Sequence, residues 1–312
     1  MMKKIFALVY CVLICILHGE VSAQQQFTYT QYIDNLTPIN PAWSLTRHEI
    51  QLDFLARQQW ANVDGAPRTF MASASVPMED IGASAGFTSL TDRVGPESLT
   101  EFNVFFAKSI RLQDDLYLAT SLNGGFRNYN ILYSTLLSDD PLLANADVRD
   151  NRFNVGASII TYIENKFYAG ISIPRINLRN ANGQIGAVGY FRNFYFANLG
   201  YMANLTSDFK LEVASVLAYT ANVPLQFDLA SKIWVKNTFG LGLNYRSNDE
   251  TALLTSYRTG ILNFGYSYSF VFGNRKVAGF QNSTHEVTVG IRFGGTKVDK
   301  RNWSGMNRNA IQ

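Results

Sequence analysis

Hydrophobic and polar positions alternate with period two along most of the chain. Ile50, Leu52, Phe54 and Ala56 alternate with Gln51, Asp53, Leu55 and Arg57, which puts one apolar and one mostly polar face on a single strand. The same alternation returns at Phe102, Val104 and Phe106 against Glu101, Asn103 and Phe105, and at Phe153, Val155, Ala157 and Ile159 against Asn154, Gly156 and Ser158. Further on, Leu225, Phe227 and Leu229 oppose Gln226, Asp228 and Ala230, and Leu262, Phe264, Tyr266, Tyr268 and Phe270 oppose Asn263, Gly265, Ser267 and Ser269. A last strand sets His285, Val287, Val289, Ile291 and Phe293 against Glu286, Thr288, Gly290 and Arg292. Helical spacing is not sustained anywhere. The pattern predicts about fourteen strands of roughly 9 to 12 residues, the length that crosses a bilayer when tilted.

The second face is built of Gly, Ser, Asn, Asp and Arg, whereas a soluble sandwich presents one dry face and a surface dense in Lys and Glu. The links between strands alternate in length. One set is tight: Pro77 to Asp80, Gln113 to Asp115, Glu164 to Lys166, Ser207-Asp208, Lys236-Asn237 and Thr259-Gly260. Most of the other set is longer, notably Thr91 to Ser98, Asn128 to Asn151, Arg175 to Gly189 and Gly273 to Ser283, although Ala221 to Pro224 and Ser247 to Glu250 are short. Short turns on one side and long loops on the other are the habit of outer-membrane barrels. The expected fold is therefore all-β: a transmembrane antiparallel β-barrel of about 14 strands with both termini periplasmic. Tyr and Trp near strand ends, Trp60, Tyr117, Tyr168, Tyr190 and Trp234, are expected in its interfacial girdles.

Composition agrees with this picture. The 312 residues carry 16% charged and 13% aromatic side chains, with 23 Gly and 8 Pro. That is too little charge for an ordinary soluble domain, where about 25% is usual. A net charge of +3, scattered singly, offers no basic stripe for a nucleic-acid backbone. At the N-terminus Lys3 and Lys4 precede an apolar run from Ile5 to Leu17 and then Val21-Ser22-Ala23, the layout of a secretory signal peptide over residues 1–23. Both cysteines, Cys11 and Cys15, fall inside it, so no disulfide or thiol chemistry is expected in the remainder. The expected organisation continues with an N-terminal periplasmic segment or plug at 24–47, the barrel at 48–295 and a basic tail at 296–312.

Between Gln31 and Ala42 the chain reads QYIDNLTPINPA; Arg57-Gln58-Gln59-Trp60 and Asp64-Gly65-Ala66-Pro67-Arg68-Thr69 follow. In this order and spacing the segments resemble the opening of the PorP/SprF family of type IX secretion system outer-membrane proteins, known from Bacteroidota. Later landmarks resemble the family too: Gly82 to Gly86, Asp92-Arg93-Val94-Gly95-Pro96, Phe167 to Pro174 and Ser283 to Val287. Trp43-Ser44 stands where the family usually has Gly. The resemblance implies a non-enzymatic barrel of secretion and gliding machinery. Its implied partners are outer-membrane lipid, a secreted surface protein such as an adhesin, and periplasmic secretion components including the motor. The family-signature positions are Gln31, Tyr32, Asn35, Asn40, Pro41, Arg57, Gln59, Trp60, Gly65, Ala66 and Pro67.

Pro38 and Pro41 push Thr37 and Asn40 out of the helical region, so Asn35 to Ala42 reads as an extended and turning segment, either a structural plug at the periplasmic mouth or a partner contact. Arg57 is expected to face the lumen with Asp53 and Gln59, as an internal ion pair. Asp64 to Pro67 reads as a turn, serving either a rigid external contact or a plain hairpin. The longest loop carries Ile131, Leu132, Leu136, Leu137, Leu142 and Leu143, which form either a surface for the exported partner or an inward-folded constriction. Catalysis finds little support: Gly82-Ala83-Ser84-Ala85-Gly86 is expected within a strand rather than at a nucleophile elbow, and His285 and Glu286 point to opposite faces. No cofactor, metal or small-molecule substrate is expected. The competing reading is a passive outer-membrane porin, against which the inward Phe105, Leu55 and Ile160 argue for a filled lumen.

Overall fold

The computed structural model describes residues 29–61, 63–135, 147–177, 193–221, 223–247, 250–271 and 283–294. Its strands are β1 (Ile50–Gln58), β2 (Arg68–Met78), β3 (Ala83–Val94), β4 (Glu97–Gln113), β5 (Leu116–Ile131), β6 (Val148–Ile163) and β7 (Phe167–Asn177). The second half supplies β8 (Tyr195–Asn204), β9 (Phe209–Tyr219), β10 (Gln226–Val235), β11 (Phe239–Arg246), β12 (Glu250–Thr259), β13 (Leu262–Val271) and β14 (Thr284–Phe293). Each pairs antiparallel with its sequence neighbours, and β1 closes on β14 with Ile50 opposite Phe293 and Gln58 opposite His285. Closure leaves no edge with unpaired backbone groups, which is what allows strands to sit in hydrocarbon. No helix among the described residues is long and apolar enough to cross a membrane.

The alternating faces fall as the pattern predicts. Gln51, Leu55 and Arg57 are buried inside while Phe54 is exposed outside; Glu101, Asn103 and Phe105 turn inward while Phe102, Val104 and Phe106 turn outward. Leu122 sits in mid-β5 opposite Phe106 and Ala157, 72% exposed on the outer face. Leu122→Arg is expected to cost about 2–4 kcal/mol, the price of a cation at the midplane. Urea unfolding from lipid vesicles measures it; a loss below about 1 kcal/mol, the interface value, would place this face outside the hydrocarbon.

Two expectations need correction. Tyr168 and Trp234 are buried and face inward, as does the half-buried Tyr117, whose ring stacks on Tyr162 at 5.3 Å, so none of the three belongs to a girdle. Tyr168 faces Gly200 across the β7–β8 ladder, and a Cβ on Gly200 would lie 2.2 Å from its ring, so the glycine makes room for the aromatic. The outward aromatics near strand ends are instead Tyr195, Tyr219 and Tyr245 at one rim and Phe209, Phe239, Tyr257 and Phe293 at the other. Trp60 is partly buried in the link after β1, and Tyr190 lies outside the described residues.

The second correction concerns strand length. β4, β5 and β6 run to 17, 16 and 16 residues. The expected link from Thr91 to Ser98 is a paired hairpin that turns at Gly95-Pro96, where Gly95 takes a φ of +54°. Asn128 to Ile131 likewise pairs with Val148 to Asn151 instead of looping. There the outward positions are polar, Asn128 and Asn130, so the outer apolar stripe that marks a lipid-facing strand is missing although Tyr129 and Ile131 stay buried inside and the backbone ladder continues. The six tight links appear where the pattern puts them, giving the barrel one rim of short turns.

Candidate functional site: a lumen filled by the chain's own N-terminal segment

Residues 29–47 lie inside the barrel. Tyr29, Tyr32, Ile33, Leu36, Ala42, Trp43 and Leu45 are buried in one cluster with Leu55, Ile160, Tyr168, Phe196 and Leu254 from the wall. Local chemistry explains the shape of the segment. Asn35 Oδ1 accepts the Thr37 N–H at 3.1 Å, and the Ile39 and Asn40 amides both donate to Leu36 O. Asn40, held extended at φ −135° by the following proline, starts a 3-10 turn over Pro41–Thr46. A second such turn spans Thr30–Ile33, ahead of the stretch from Asn35 to Ala42.

Polar groups fix the segment to the wall from many directions. The Thr30 and Gln31 amides donate to the two carboxylate oxygens of Glu286 at 3.0 and 2.8 Å, and Thr288 Oγ1 donates to Gln31 Oε1 at 3.1 Å. Tyr32 Oη donates to Ala214 O at 3.2 Å, and Asn35 Nδ2 to Ser73 Oγ at 2.8 Å. Asn40 Nδ2 donates to Asn198 Oδ1 at 3.0 Å; the Ala42 amide reaches Ser158 Oγ at 3.2 Å, and Ser172 Oγ donates to Ile39 O at 2.7 Å. Asp34 takes Lys232 and Arg258 as partners. Burial alone would raise its carboxyl, but these two cations outweigh burial and hold it below the usual carboxylate range. Trp43 and Ser44 are both buried, so Trp43 adds volume to the filling.

The wall carries paired charges of its own. Glu101 binds Arg127 at 2.9 Å and Arg175 at 3.0 Å, and Arg246 binds Asp228 at 2.8 Å and Glu250 at 3.0 Å. Arg57 faces the lumen as expected, but its carboxylates are Glu250 and Glu286, each at 3.9 Å, and Asp53 pairs with Arg292. The reason is register: Arg57 stands directly opposite Glu286 on β14. Toward the long-loop rim, Tyr29, Met71, Leu90, Glu101, Arg175 and Phe196 border a small open cleft.

At the short-turn rim His48 Nε2 lies 2.9 Å from Glu164 Oε1, tying the exit of the segment to the β6–β7 turn. The hydrogen bond to Glu164 raises the His48 pKa; partial burial opposes this, and the charges of Glu164 and Glu79 add to it. A raised folded-state pKa gives stability that is complete below the unfolded value of about 6.5 and is lost as pH rises through the folded value. The apparent melting temperature of the barrel is expected to fall over that window, and His48→Gln to flatten the fall; identical pH profiles for the two proteins would remove the latch.

The structure gathers six signature residues, Gln31, Tyr32, Asn35, Asn40, Pro41 and Arg57, in the lumen. The rest sit apart, at the opposite rim. The Gln59 amide donates to Pro67 O at 2.9 Å, Trp60 adopts a φ of +48°, and Gly65 O accepts the Gly95 amide at 2.8 Å, joining the β1–β2 turn to the β3–β4 hairpin. Ala66 is buried beneath that contact. Ile131 is 6% exposed and packs with Leu99 and Tyr129, so its side chain belongs to the inward alternative; Leu132 is half-buried, with its amide on Pro96 O. Leu136, Leu137, Leu142 and Leu143 lie outside the described residues, as do residues 1–28 and 295–312. Ser84 is buried in β3 just after Gly82, which occupies a turn at φ +58° instead of the strand. His285 points outward to Tyr266 Oη at 2.8 Å, away from Glu286. Sequence reasoning missed Lys232, Arg258 and Glu286 as anchors. The available signal was parity: Lys232 and Trp234 share the inward parity of Asp228, and Arg258 that of Ser256.

Comparison with known proteins adds the lineage. Among solved structures the CymD monoaromatic hydrocarbon channel is similar over 85% of this chain and 92% of its own, at 13% identity and a TM-score of 0.50. A Pseudomonas aeruginosa FadL homologue (82% and 93% covered, 9% identity, TM-score 0.49) and Omp33 of Acinetobacter baumannii (79% and 99%, 10%, 0.46) share the barrel fold and no more. No protein of curated function matches the sequence. The family model described as type IX secretion system membrane protein PorP/SprF matches residues 21–291, which takes in both the lumen-filling segment and all but the end of the closing strand. The chain thus belongs to the PorP/SprF family of type IX secretion system membrane proteins and is an outer-membrane β-barrel.

Proposed function

We propose that this barrel is not an enzyme and that it supports the export and surface retention of one exported protein in type IX secretion, with its short-turn rim in the periplasm. The observation that carries the reading is the filled lumen. A diffusion porin needs a water-filled channel lined by charge, whereas residues 29–47 here bury an aromatic and aliphatic cluster across the barrel and bond to its wall. A closed barrel that spans the outer membrane presents loops outside and turns to the periplasm, so it suits a role as an anchor. On this reading Leu132, Leu136, Leu137, Leu142 and Leu143 contact the exported protein, with Ile131 as the packed root of their loop, and the short-turn rim and the tail at 296–312 meet periplasmic secretion components.

The test is affinity purification of the tagged protein from its native outer membrane in mild detergent, followed by mass spectrometry. Near-stoichiometric recovery of a large exported protein or of secretion-motor subunits supports the anchor role. A barrel that comes out alone and conducts ions steadily in planar bilayers would make it a porin. Deleting Leu136 to Leu143 is expected to release the partner while the barrel still assembles.

A further inference from the structure

Asp34 is the one charged residue between Tyr29 and Thr46, and it meets the wall where two cations and a hydroxyl converge. Lys232 Nζ donates to Asp34 Oδ2 and to Ser256 Oγ, the latter at 2.9 Å, and Arg258 lies 3.6 Å from Asp34 Oδ1. The Lys232 side chain is 0% exposed. The Arg258 guanidinium sits 3.5 Å from the centroid of Trp234, whose Nε1 donates to Glu212 at 2.8 Å. The indole therefore holds Arg258 by its flat face and leaves the guanidinium edge free to donate. Elsewhere the inward cations Arg127, Arg175, Arg246 and Arg292 find carboxylates on the wall itself. Lys232 and Arg258 take theirs from a separate segment of chain. Beside them lies an open cleft bordered by Arg47, Arg258 and Arg292 against Asp34 and Asp53, with Trp234 on one side, so its lining carries one positive charge in excess and Asp34 lies on its border.

We propose that Lys232, Ser256 and Arg258 form a carboxylate-binding site in the barrel wall that Asp34 fills in cis, and that the carboxylate of an acidic peptide entering the adjoining cleft exchanges for Asp34 and loosens the plug. Removing the Asp34 carboxylate without replacement leaves a buried cation uncompensated, so exchange is favoured over simple withdrawal. Between Tyr29 and Thr46 the site gives the plug one replaceable ion pair with the wall, among described bonds that are otherwise neutral or made to backbone.

The experiment uses the full chain with Cys11→Ser, Cys15→Ser and Thr37→Cys, assembled in lipid vesicles. Thr37 is 3% exposed, so a thiol there reports the seated plug. The rate of labelling by a charged maleimide is compared in sodium chloride, sodium acetate and tri-glutamate at matched ionic strength. Saturable acceleration of about fivefold or more by tri-glutamate over chloride is the expected result, and acetate is expected to act in the same direction. Equal rates in chloride and both carboxylates would reduce the effect to screening and overturn the site. Acceleration by acetate alone would overturn the peptide as occupant. Asp34→Asn is expected to label fast in chloride with no further gain from tri-glutamate; should that variant fail to assemble, the three-salt comparison on the Thr37→Cys barrel decides alone.

Discussion

Glu286→Leu is expected to destabilise the barrel by about 3–5 kcal/mol, the cost of removing one partner from a buried charge pair. The Glu286 side chain is 1% exposed and lies 3.9 Å from the Arg57 guanidinium. Its two oxygens also accept the Thr30 and Gln31 amides, which then face an apolar group. A buried donor left without an acceptor adds roughly 1–3 kcal/mol. Leucine is close in volume, so the loss reports chemistry more than a cavity. Glu286→Gln retains an acceptor oxygen and is expected to lose less, about 1–3 kcal/mol. The urea midpoint of vesicle-embedded protein measures both; a leucine variant that unfolds with the wild type would show that the plug is not held at this carboxylate.

Deleting residues 30–46 is expected to turn a barrel that passes little current into one with a large, steady conductance in planar bilayers. Barrels of eight strands are filled by their own side chains and those of sixteen or more enclose an aqueous channel, so fourteen strands leave a bore that this segment has to occupy. Once the segment is gone the wall presents Ser73, Ser158, Ser172 and Asn198 without their plug partners, together with Lys232 and Glu286. Those groups draw in water, which also solvates the freed charges, so the barrel itself is expected to assemble. A full-length protein that conducts as well as the deletion would show that the segment does not block the bore.

Much of the barrel was legible because period two is local. Each strand has lipid on one side and the lumen on the other, so the sign of residue 54 or residue 155 follows from its chemistry without reference to any other strand. The misreadings came where a different rule competed. Tyr168 and Trp234 look like girdle residues by type and position near strand ends, yet parity sends both inward, where an aromatic fills the bore. Thr91 to Ser98 and Asn128 to Asn151 look like loops by composition, yet backbone pairing continues through much of each where the outward positions have turned polar. In residues 29–47 no period exists to read. The prolines indicated a bent, extended path, while its place across the lumen depended on contacts distant in sequence.

Alternation and turn chemistry were enough for the strand number, the antiparallel order, the two faces and the rim of short turns, since all of these rest on neighbours a few residues apart. Which charge meets which was decided only on closure. Asp34 meets Lys232 across 198 residues and Thr30 meets Glu286 across 256. Those pairs exist because fourteen strands in one register bring the last strand beside the first and leave a bore of the right width for the N-terminal segment. No local pattern encodes a bore width: it is a property of the closed sheet, and the filling of the lumen follows from it.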